Sequence, residues 1–306
     1  MLKDKKIVLG ITGSIAAYKI FELIKLFKKA GTYILPIMTK NATYFVTPLS
    51  VEIACENKVL IDMFESPMSH IELAKQADLF VVAPATANFI NKYACGIADD
   101  LLTTAILAYR GSVIIAPAMN WRMYESPQIK KNIDYLRNIG VSFIEPEEGS
   151  LACGEEGKGR LATIDKIFES VVSVLTEKDL RGEHFLITAG PTKHYIDPIR
   201  FMTNKSSGKM GYAIGKIAKR RGAEVTLISG PTNLTAPSVD KFIQVETTRQ
   251  MLQAVMDNMD NITTIIMAAA PLDFEPTKVF NTKIDKHQIK SISLKLCLDI
   301  LKEIDK

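Results

Sequence analysis

Residues 7–16, IVLGITGSIA, decide how this chain folds. The first six form a short apolar run that is typical of a buried parallel strand. Gly13 and Ser14 fit a tight turn, and apolar side chains then recur at helical spacing over residues 20–27. A strand, a turn and a helix in this order make the first unit of a parallel α/β sheet.

The same alternation continues along the chain and restarts once, after a polar linker at residues 177–182. Before the linker, strands are predicted at residues 34–39, 79–83, 113–116 and 141–144, and helices around 100–109, 128–138 and 163–177. After it, strands are predicted at 185–190, 225–229, 242–245 and 264–268, and helices at 210–221 and 249–259. We therefore predict an α/β protein of two Rossmann-like, doubly wound parallel-sheet domains, at residues 1–178 and 183–306. The first is expected to be flavodoxin-like and the second, with about four strands, to be incomplete.

The composition argues against several classes of protein. With 306 residues, 47% of them hydrophobic and 24% charged, the chain has the balance of a two-domain globular protein. No apolar run approaches the ~20 residues of a membrane span, and no apolar signal segment opens the sequence, so we expect a cytoplasmic protein. The formal net charge of +4 comes without an aromatic-interleaved basic stripe, so nucleic acid is not an expected partner. The four cysteines and four histidines lack the spacing of zinc ligands, so no zinc site is predicted.

The turn after the first strand has the features of a phosphate site. Small residues at Gly13 and Ser14 allow a phosphate to approach the backbone at the start of a helix. The spacing is not that of the dinucleotide fingerprint, so a plain strand-to-helix turn is the alternative interpretation. The second strand ends at Thr39 and Lys40 without an acidic residue to bind a ribose, which disfavours NAD and leaves a mononucleotide such as FMN open.

Two further polar segments follow predicted strands at the same sheet edge. They are residues 84–88, PATAN, and residues 117–120, PAMN. Ligands of open α/β sheets bind at the carboxyl ends of the strands, and Asn88 and Asn120 offer both donors and acceptors there. Turns closed by capping asparagines are the alternative, although two such segments on one edge favour a ligand site.

A cysteine with unusual neighbours lies in residues 152–160, ACGEEGKGR. Such a glycine-rich, charged stretch is incompatible with a helix interior or a buried strand. Lys158 and Arg160 are close enough in sequence to favour the thiolate of Cys153 or to hold an anionic substrate. An exposed turn with an incidental thiol is the alternative to a mobile flap that carries an acid–base thiol. His70 opens a predicted helix, where a capping or surface role is the alternative to a catalytic one.

Together these segments resemble the flavin-containing cysteine decarboxylases, and among them the bifunctional phosphopantothenoylcysteine decarboxylase/phosphopantothenate–cysteine ligases of coenzyme A synthesis. The resemblance implies FMN-dependent decarboxylation of 4′-phosphopantothenoylcysteine to 4′-phosphopantetheine in a trimer-based homo-oligomer. It implies that His70 handles protons, that Asn120 binds the substrate carboxylate, and that Cys153 donates a proton from a flap. The implied FMN-binding residues are Gly13, Ser14, Ile15, Thr39, Thr86, Asn88, Thr103, Ala118 and Met119. Leu161 and Tyr124 are small departures from the family pattern, which usually has methionine and often tryptophan there.

The second domain resembles the ligase half at residues 187–192 and 204–211. The resemblance implies that Asn204, Asp273 and Lys283 contact CTP, with Mg²⁺ at Asp273. Residues 296–299, LCLD, stand where an Asn-Pro-Asp stretch is expected, and about the last quarter of the family's length has no counterpart. We therefore expect a C-terminally shortened ligase half with weak or absent ligation.

Three other functions stay open at this point. A non-catalytic FMN-binding regulatory subunit tends to lack one of the three catalytic residues, and all three occur here. A peptide-cysteine decarboxylase would not carry a ligase-like second domain. A flavin prenyltransferase would lack both the segment around Asn120 and the segment around Cys153.

Overall fold

The computed structural model describes residues 2–65, 68–150, 154–285 and 291–304. The chain forms two compact units, Met1–Thr176 and Glu177–Lys306. No helix in the described ranges is long and apolar enough to cross a membrane.

The first unit is built on a parallel sheet of five strands. These are β1 (Lys6–Ile11), β2 (Tyr33–Met38), β3 (Leu79–Ala85), β4 (Val113–Pro117) and β5 (Ser142–Phe143). Their order across the sheet is β2-β1-β3-β4-β5, which is the flavodoxin-like order. The predicted fold class is thereby confirmed for the first unit.

The helices of this unit cover the sheet, and a small hairpin follows them. The α-helices are α1 (Ile20–Lys29), α2 (Pro48–Cys55), α3 (Ser69–Gln76), α4 (Ala87–Ala94), α5 (Leu101–Ala108), α6 (Trp121–Tyr124), α7 (Pro127–Asn138) and α8 (Ile164–Leu175). Two 3₁₀ helices span Ile15–Lys19 and Lys40–Tyr44. The hairpin pairs β6 (Glu147–Ser150) with β7 (Glu156–Arg160) in antiparallel fashion.

Strand β1 lies inside the sheet and is buried on both faces, which explains its continuous apolar sequence. Ile7 and Leu9 belong to the core cluster on one face of the sheet, and Val8 belongs to the cluster on the other face. All three side chains are fully buried. A strand covered by helices on both faces needs apolar residues at every position, which gives the continuous run seen in the sequence.

The second unit carries a parallel sheet of four strands, in agreement with the expected number. Its strands are β8 (His184–Ala189), β9 (Lys193–Tyr195), β10 (Phe201–Thr203), β11 (Glu224–Ser229), β12 (Lys241–Gln244), β13 (Thr264–Met267), β14 (Phe274–Pro276) and β15 (Leu294–Leu296). Its helices are α9 (Lys209–Arg220), α10 (Thr248–Met256) and α11 (Ile300–Ile304). The sheet order is β12-β11-β8-β13, while β9 pairs with β10 and β14 with β15 as antiparallel ribbons. Numbered from β8, the parallel order is 3-2-1-4, as in a Rossmann sheet.

Candidate active site

A large cleft opens at the carboxyl edge of the first sheet, with a volume of about 1080 Å³. Its walls come from the segments that follow β1, β2, β3 and β4, around Gly13, Thr39, Thr86 and Asn120. In a sheet of this order, chain connections leave β1 and β3 in opposite directions, and ligands bind at that point. The volume is that of a site for a cofactor-sized molecule.

The floor of the cleft is held together by Thr12. Its buried hydroxyl donates to the carbonyl of Pro84 at 2.8 Å and accepts from the N–H of Thr86 at 3.0 Å. The turn after β1 is thus fixed to the turn after β3. Gly13 lies so close to Asn41 that an added Cβ would come within 2.6 Å of the Asn41 Cβ. Any larger residue at position 13 therefore has to displace the backbone that lines the cleft.

Thr39 offers this cleft a free polar group. Its Oγ1 atom is buried and has no hydrogen-bond partner among the described residues, although Thr39 lines the cleft. Buried hydroxyls nearly always have a partner, so an isolated one at a cleft wall indicates a ligand that supplies it. The cleft volume, the close approach at Gly13 and the free hydroxyl of Thr39 together fit a flavin mononucleotide.

Eight of the nine residues expected to bind FMN line the cleft; they are Gly13, Ser14, Ile15, Thr39, Thr86, Asn88, Ala118 and Met119. Thr103 lies outside this wall. Its fully buried hydroxyl donates to Asp100 Oδ1 at 2.8 Å, and the Thr103 N–H donates to the same atom at 2.8 Å. Thr103 thereby closes the capping box at the start of α5, and Asp100, rather than Thr103, borders the cleft.

Asn120 lines the cleft and begins α6. Its Oδ1 accepts the N–H of Arg122 at 2.8 Å, so the side chain caps this short helix. Its amide Nδ2 is then directed outward and donates to Glu155 Oε2 at 3.2 Å. Because Oδ1 caps the helix, the end of the amide that faces outward is Nδ2, which is a hydrogen-bond donor.

The partner carboxylate, Glu155, makes three contacts with consecutive residues. Besides Asn120, its Oε2 accepts from Trp121 Nε1 at 3.0 Å, and its Oε1 accepts from Arg122 Nη2 at 2.7 Å. A carboxylate group is therefore already bound at the amide expected to bind the substrate's carboxylate. Sequence reasoning assigned no role to Glu155, Trp121 or Arg122, since only the folded hairpin brings residue 155 to this helix.

The segment after Cys153 forms a strand that the sequence did not predict. Residues 156–160 make β7, which is exposed at both ends, half-buried at Gly157 and Lys158, and buried at Gly159. The carbonyl of Gly159 accepts the N–H of Met119 at 3.0 Å. A Cβ at position 159 would lie 2.2 Å from the carbonyl oxygen of Met119, so only glycine allows this approach. Cys153 itself lies outside the described residues.

Lys158 was expected to favour the thiolate of Cys153 or to hold an anionic substrate, and in the structure its ammonium group pairs with a carboxylate. It contacts Glu145, which also accepts hydrogen bonds from Arg137 and Tyr124. Burial alone would raise the pKa of Glu145, yet these donors hold it below its usual value. Lys158 is thus paired with Glu145, and of the two cations Lys158 and Arg160 only Arg160 is among the residues that line the cleft.

His70 is half-buried on α3 and is not among the residues that line the cleft. Its Nδ1 atom is buried without a hydrogen-bond partner in the described part of the chain, as is Oγ of Ser69. Asn120 and the FMN-binding segments thus line one cleft, and His70 is not among the described residues of its wall.

In the second unit, three of the predicted segments meet at the carboxyl edge of the sheet. The N–H of Ala270 donates to the carbonyl of Gly190 at 2.8 Å, and Asn204 Nδ2 donates to the carbonyl of Pro271 at 2.9 Å. Asp273 follows two residues after Pro271, and its side chain is exposed. The amide of Asn204 is thus placed beside the segment that leads to Asp273.

Lys283 is positioned through the neighbouring Ile284. The fully buried Asp197 accepts N–H groups from Ile199, Arg200 and Ile284, at 2.9, 2.8 and 3.2 Å. Burial alone would raise the pKa of Asp197, but these three donors and the guanidinium of Arg200 hold it below its usual value. Lys283 itself is exposed, next to this fixed point.

Comparison with known proteins identifies the family. Residues 1–176 match the family described as Flavoprotein, and residues 180–306 match the DNA/pantothenate metabolism flavoprotein C-terminal domain. The coenzyme A biosynthesis bifunctional protein CoaBC of Bacillus subtilis is 46% identical over 313 aligned residues, which cover 99% of this chain and 77% of that protein. The chain belongs to this bifunctional family.

Other relatives agree with this assignment. The bifunctional protein of Escherichia coli is 40% identical over 93% of this chain and 71% of its own length. Among solved structures, the peptidyl-cysteine decarboxylase EpiD has a TM-score of 0.51 and 27% identity, covering 55% of this chain and 99% of its own. The first unit of this bifunctional chain thus shares its fold with a decarboxylase that acts on cysteine.

Proposed function

We propose that the first unit catalyses the FMN-dependent decarboxylation of 4′-phosphopantothenoylcysteine to 4′-phosphopantetheine, a step of coenzyme A biosynthesis. Membership of the bifunctional family supports the pathway, and the cleft supports the cofactor. The observation that carries the proposal is the outward amide of Asn120, which holds a carboxylate at the wall of a cofactor-sized cleft.

We propose that the turn at Gly13 and Ser14, the hydroxyl of Thr39 and the segment at Thr86 bind FMN. When bound, it supplies the two-electron oxidation and reduction that the decarboxylation requires. Asn120 orients the substrate by its carboxylate, since a charge-assisted hydrogen bond fixes the position of the group that leaves. Cys153 returns a proton to the product, and His70 handles the proton of the oxidation step.

The test of the proposal is carbon dioxide release from 4′-phosphopantothenoylcysteine by the flavin-loaded protein. Replacing Asn120 by alanine removes one hydrogen bond to a charged group, so kcat/KM is expected to fall roughly 10- to 100-fold. Asn138→Ala, on the exposed end of α7, is the matched control and should be fully active. Equal activity of the two variants would rule out the proposed role of Asn120.

The role of Cys153 has a separate readout. A thiol is a much stronger acid than a serine hydroxyl, so Cys153→Ser should still release carbon dioxide for one turnover but fail to protonate the product. The expected product is two hydrogens lighter than 4′-phosphopantetheine, and mass spectrometry resolves that difference. Normal 4′-phosphopantetheine formation by the variant would return Cys153 to an incidental thiol.

A peptide-cysteine decarboxylase is the second candidate, because of the likeness to EpiD. That likeness covers 55% of the chain, whereas the bifunctional relatives cover nearly all of it. The same carbon dioxide assay with a peptide ending in cysteine separates the two functions. We expect turnover of the phosphopantothenoyl substrate and none of the peptide.

For the second unit, whose residues 180–306 match the C-terminal family, we propose CTP-dependent coupling of 4′-phosphopantothenate to cysteine, at the low rate expected from the sequence. Asn204 is the residue best placed for it, beside the segment of Asp273. Mg²⁺ binds through one or two carboxylates and substrate phosphates while it keeps several waters, and the exposed carboxylate of Asp273 fits that pattern. The assay is CTP-dependent product formation, and Asn204→Ala should reduce it while carbon dioxide release by the first unit stays unchanged.

We also propose that the active protein is a trimer-based homo-oligomer. His70 is not among the described residues that line the cleft, and large apolar side chains of the cleft wall are exposed, including Phe64 at 88% and Ile15 at 58%. Leu49 and Ile53 on α2 are exposed at 65% and 70%. Contiguous exposed apolar surface is typical of a protein–protein interface, and sedimentation of the purified protein measures the oligomer directly.

A further inference from the structure

Three residues that no proposed reaction uses lie together in the second unit. They are His194 on β9, Glu275 on β14, and Cys297, which directly follows β15. One potential ligand atom from each lies within 4.8 Å of the other two. His194 Nδ1 is 3.5 Å from Glu275 Oε2, and His194 Nε2 is 3.5 Å from Cys297 Sγ.

We propose that His194, Glu275 and Cys297 form a binding site for a zinc ion. An imidazole nitrogen, a thiolate and a carboxylate are the ligand types that zinc takes in proteins, whereas Mg²⁺ and Ca²⁺ take oxygen ligands. Usual zinc–ligand lengths at tetrahedral angles place nitrogen about 3.4 Å from oxygen and about 3.6 Å from sulfur. The observed 3.5 Å between His194 Nδ1 and Glu275 Oε2 matches the first value, whereas Cys297 Sγ lies 3.5 Å from the other ring nitrogen, Nε2, and has to turn towards Nδ1 to reach the ion.

The imidazole of His194 is held in place from its other side. Nε2 lies 2.8 Å from Oγ1 of the buried Thr248, and that hydroxyl lies 2.8 Å from Oγ1 of the buried Thr192. We assign Nδ1 as the zinc ligand, because Nε2–H is then free to donate to Thr248. A hydrogen bond to the ring nitrogen that does not bind the metal is the usual arrangement at histidine ligands.

The other two ligands are also fixed without a metal. The Oε1 atom of Glu275 lies 3.1 Å from Nζ of Lys295, its partner across the ribbon of β14 and β15. The N–H of Cys297 donates to the carbonyl of Asp273 at 2.8 Å, which holds Cys297 against the start of β14. A rotation of the Cys297 side chain is then the main adjustment that the site requires.

The charges balance when zinc binds. The thiol of Cys297 releases its proton to solvent, and the thiolate and the carboxylate together neutralise the ion while His194 stays neutral. Three protein ligands leave the fourth tetrahedral position for water. The ion would join β9 to the ribbon of β14 and β15, so its binding should stabilise the second unit against unfolding.

Sequence spacing predicted no zinc site because the three residues are far apart in the chain. They meet only because β9, β14 and the segment after β15 pack at one edge of the second unit. The site is distinct from the magnesium position proposed at Asp273, whose side chain is not part of the cluster.

The test is a zinc titration of the flavin-loaded full chain, stripped of metal, in competition with a chromophoric chelator. We expect one zinc ion per chain, and at least a tenfold weaker affinity in Cys297→Ser and in His194→Gln. Cys95→Ser and Cys153→Ser are the cysteine controls and should bind as the wild type does. Zinc should raise the melting temperature of the wild type and of both controls, but not that of Cys297→Ser, and Mg²⁺ should not replace it.

A second measurement needs no variant, so it holds even if a substitution disturbs folding. Cobalt(II) added to the wild-type chain should give a thiolate-to-cobalt charge-transfer band in the difference spectrum, and equimolar zinc should remove it. The absence of that band, or wild-type zinc affinity in both ligand variants, would overturn the proposal.

Discussion

Gly13 is the residue on which the cofactor site depends most directly. A valine side chain there would meet Asn41, whose Cβ already lies within 2.6 Å of the position of an added Cβ. The backbone at the cleft wall has to move, so we expect Gly13→Val to purify without its yellow colour. The flavin absorbance per chain is the measurement. Gly215→Ala is the control, because its backbone is outside the left-handed region and an added Cβ there makes only ordinary contacts at 3.7 Å. Full flavin content in Gly13→Val would contradict the placement.

Glu155 is the residue that we expect to compete with the substrate for the amide of Asn120. Its carboxylate occupies the amide of Asn120 that the substrate's carboxylate is proposed to use. The pair with Arg122 is partly exposed, with 69% and 36% of the two side chains accessible, so it contributes at most about 1 kcal/mol. Glu155→Gln should therefore lower KM by up to about fivefold and leave kcat nearly unchanged.

The chain contains a built-in reporter for this change. Trp121 is its single tryptophan, and its indole N–H donates to Glu155. We expect the emission of Trp121 to change in Glu155→Gln, and not in Glu156→Gln on the exposed neighbouring position of β7. A lower kcat at constant KM would instead assign Glu155 to the chemistry rather than to the resting position of the hairpin.

Among the elements, those with strong periodicity were predictable from the sequence. Strands such as β1 and β3 are buried on both faces, and helices such as α1 and α8 have one apolar face. Helix α4 was not predicted, because its start at Ala87 lies in the segment 84–88 that was interpreted as a polar turn after a strand. Helix α2 has start signals that could have revealed it, since Thr47 caps it and Pro48 occupies its first turn.

The hairpin strand β7 and the position of Glu155 could not be predicted in the same way. The sequence EGKGR has no preference for strands, and it pairs only because β6 and the segment around Met119 provide partners. The candidate site was thus predictable where it lies on strand ends, as at Thr86 and Asn120. It was not predictable where the hairpin contributes to it, as at Glu155.

The ribbon of β9 and β10 depends on Asp197 at its turn. Because the three backbone donors hold the pKa of this carboxyl below its usual value, its stabilising contribution is present above pH ~4, the value of an unfolded chain, and disappears at lower pH. Asp197→Asn should therefore destabilise the second unit at neutral pH. The difference in stability between this variant and the wild type should narrow as the pH falls below ~4. Hydrogen exchange of residues 193–203 measures the local stability of the ribbon. Asp260→Asn, at an exposed position, is the control. A stability difference that does not depend on pH would exclude the carboxylate of Asp197 as its cause.

At the scale of the whole molecule, both units and their families could be predicted, because each unit has its own strand pattern and motifs. The meeting of His194, Glu275 and Cys297 could not, since it depends on how three distant segments pack. The absence of His70 from the described cleft wall could not be predicted either, because a motif identifies a residue without giving its position relative to the cleft.

The position of His70 outside the described cleft wall leads to a test of the proposed oligomer. If the cleft of one subunit receives His70 from its neighbour, then His70→Gln and Asn120→Ala impair different halves of one site. Each variant alone should release carbon dioxide far more slowly than the wild type. Co-expressed with different affinity tags, they should form mixed oligomers in which some interfaces carry both intact residues.

Random assortment around a closed ring gives each interface one chance in four of being intact, so the mixed oligomers should recover about a quarter of wild-type activity. Two differently tagged copies of His70→Gln, co-expressed in the same way, are the control and should recover none. Only a site built from two chains lets one inactive subunit repair another. Mixed oligomers that bind flavin fully and still stay inactive would place His70 and Asn120 in the same subunit's site, and the gap between His70 and the cleft would then have to close within a single chain.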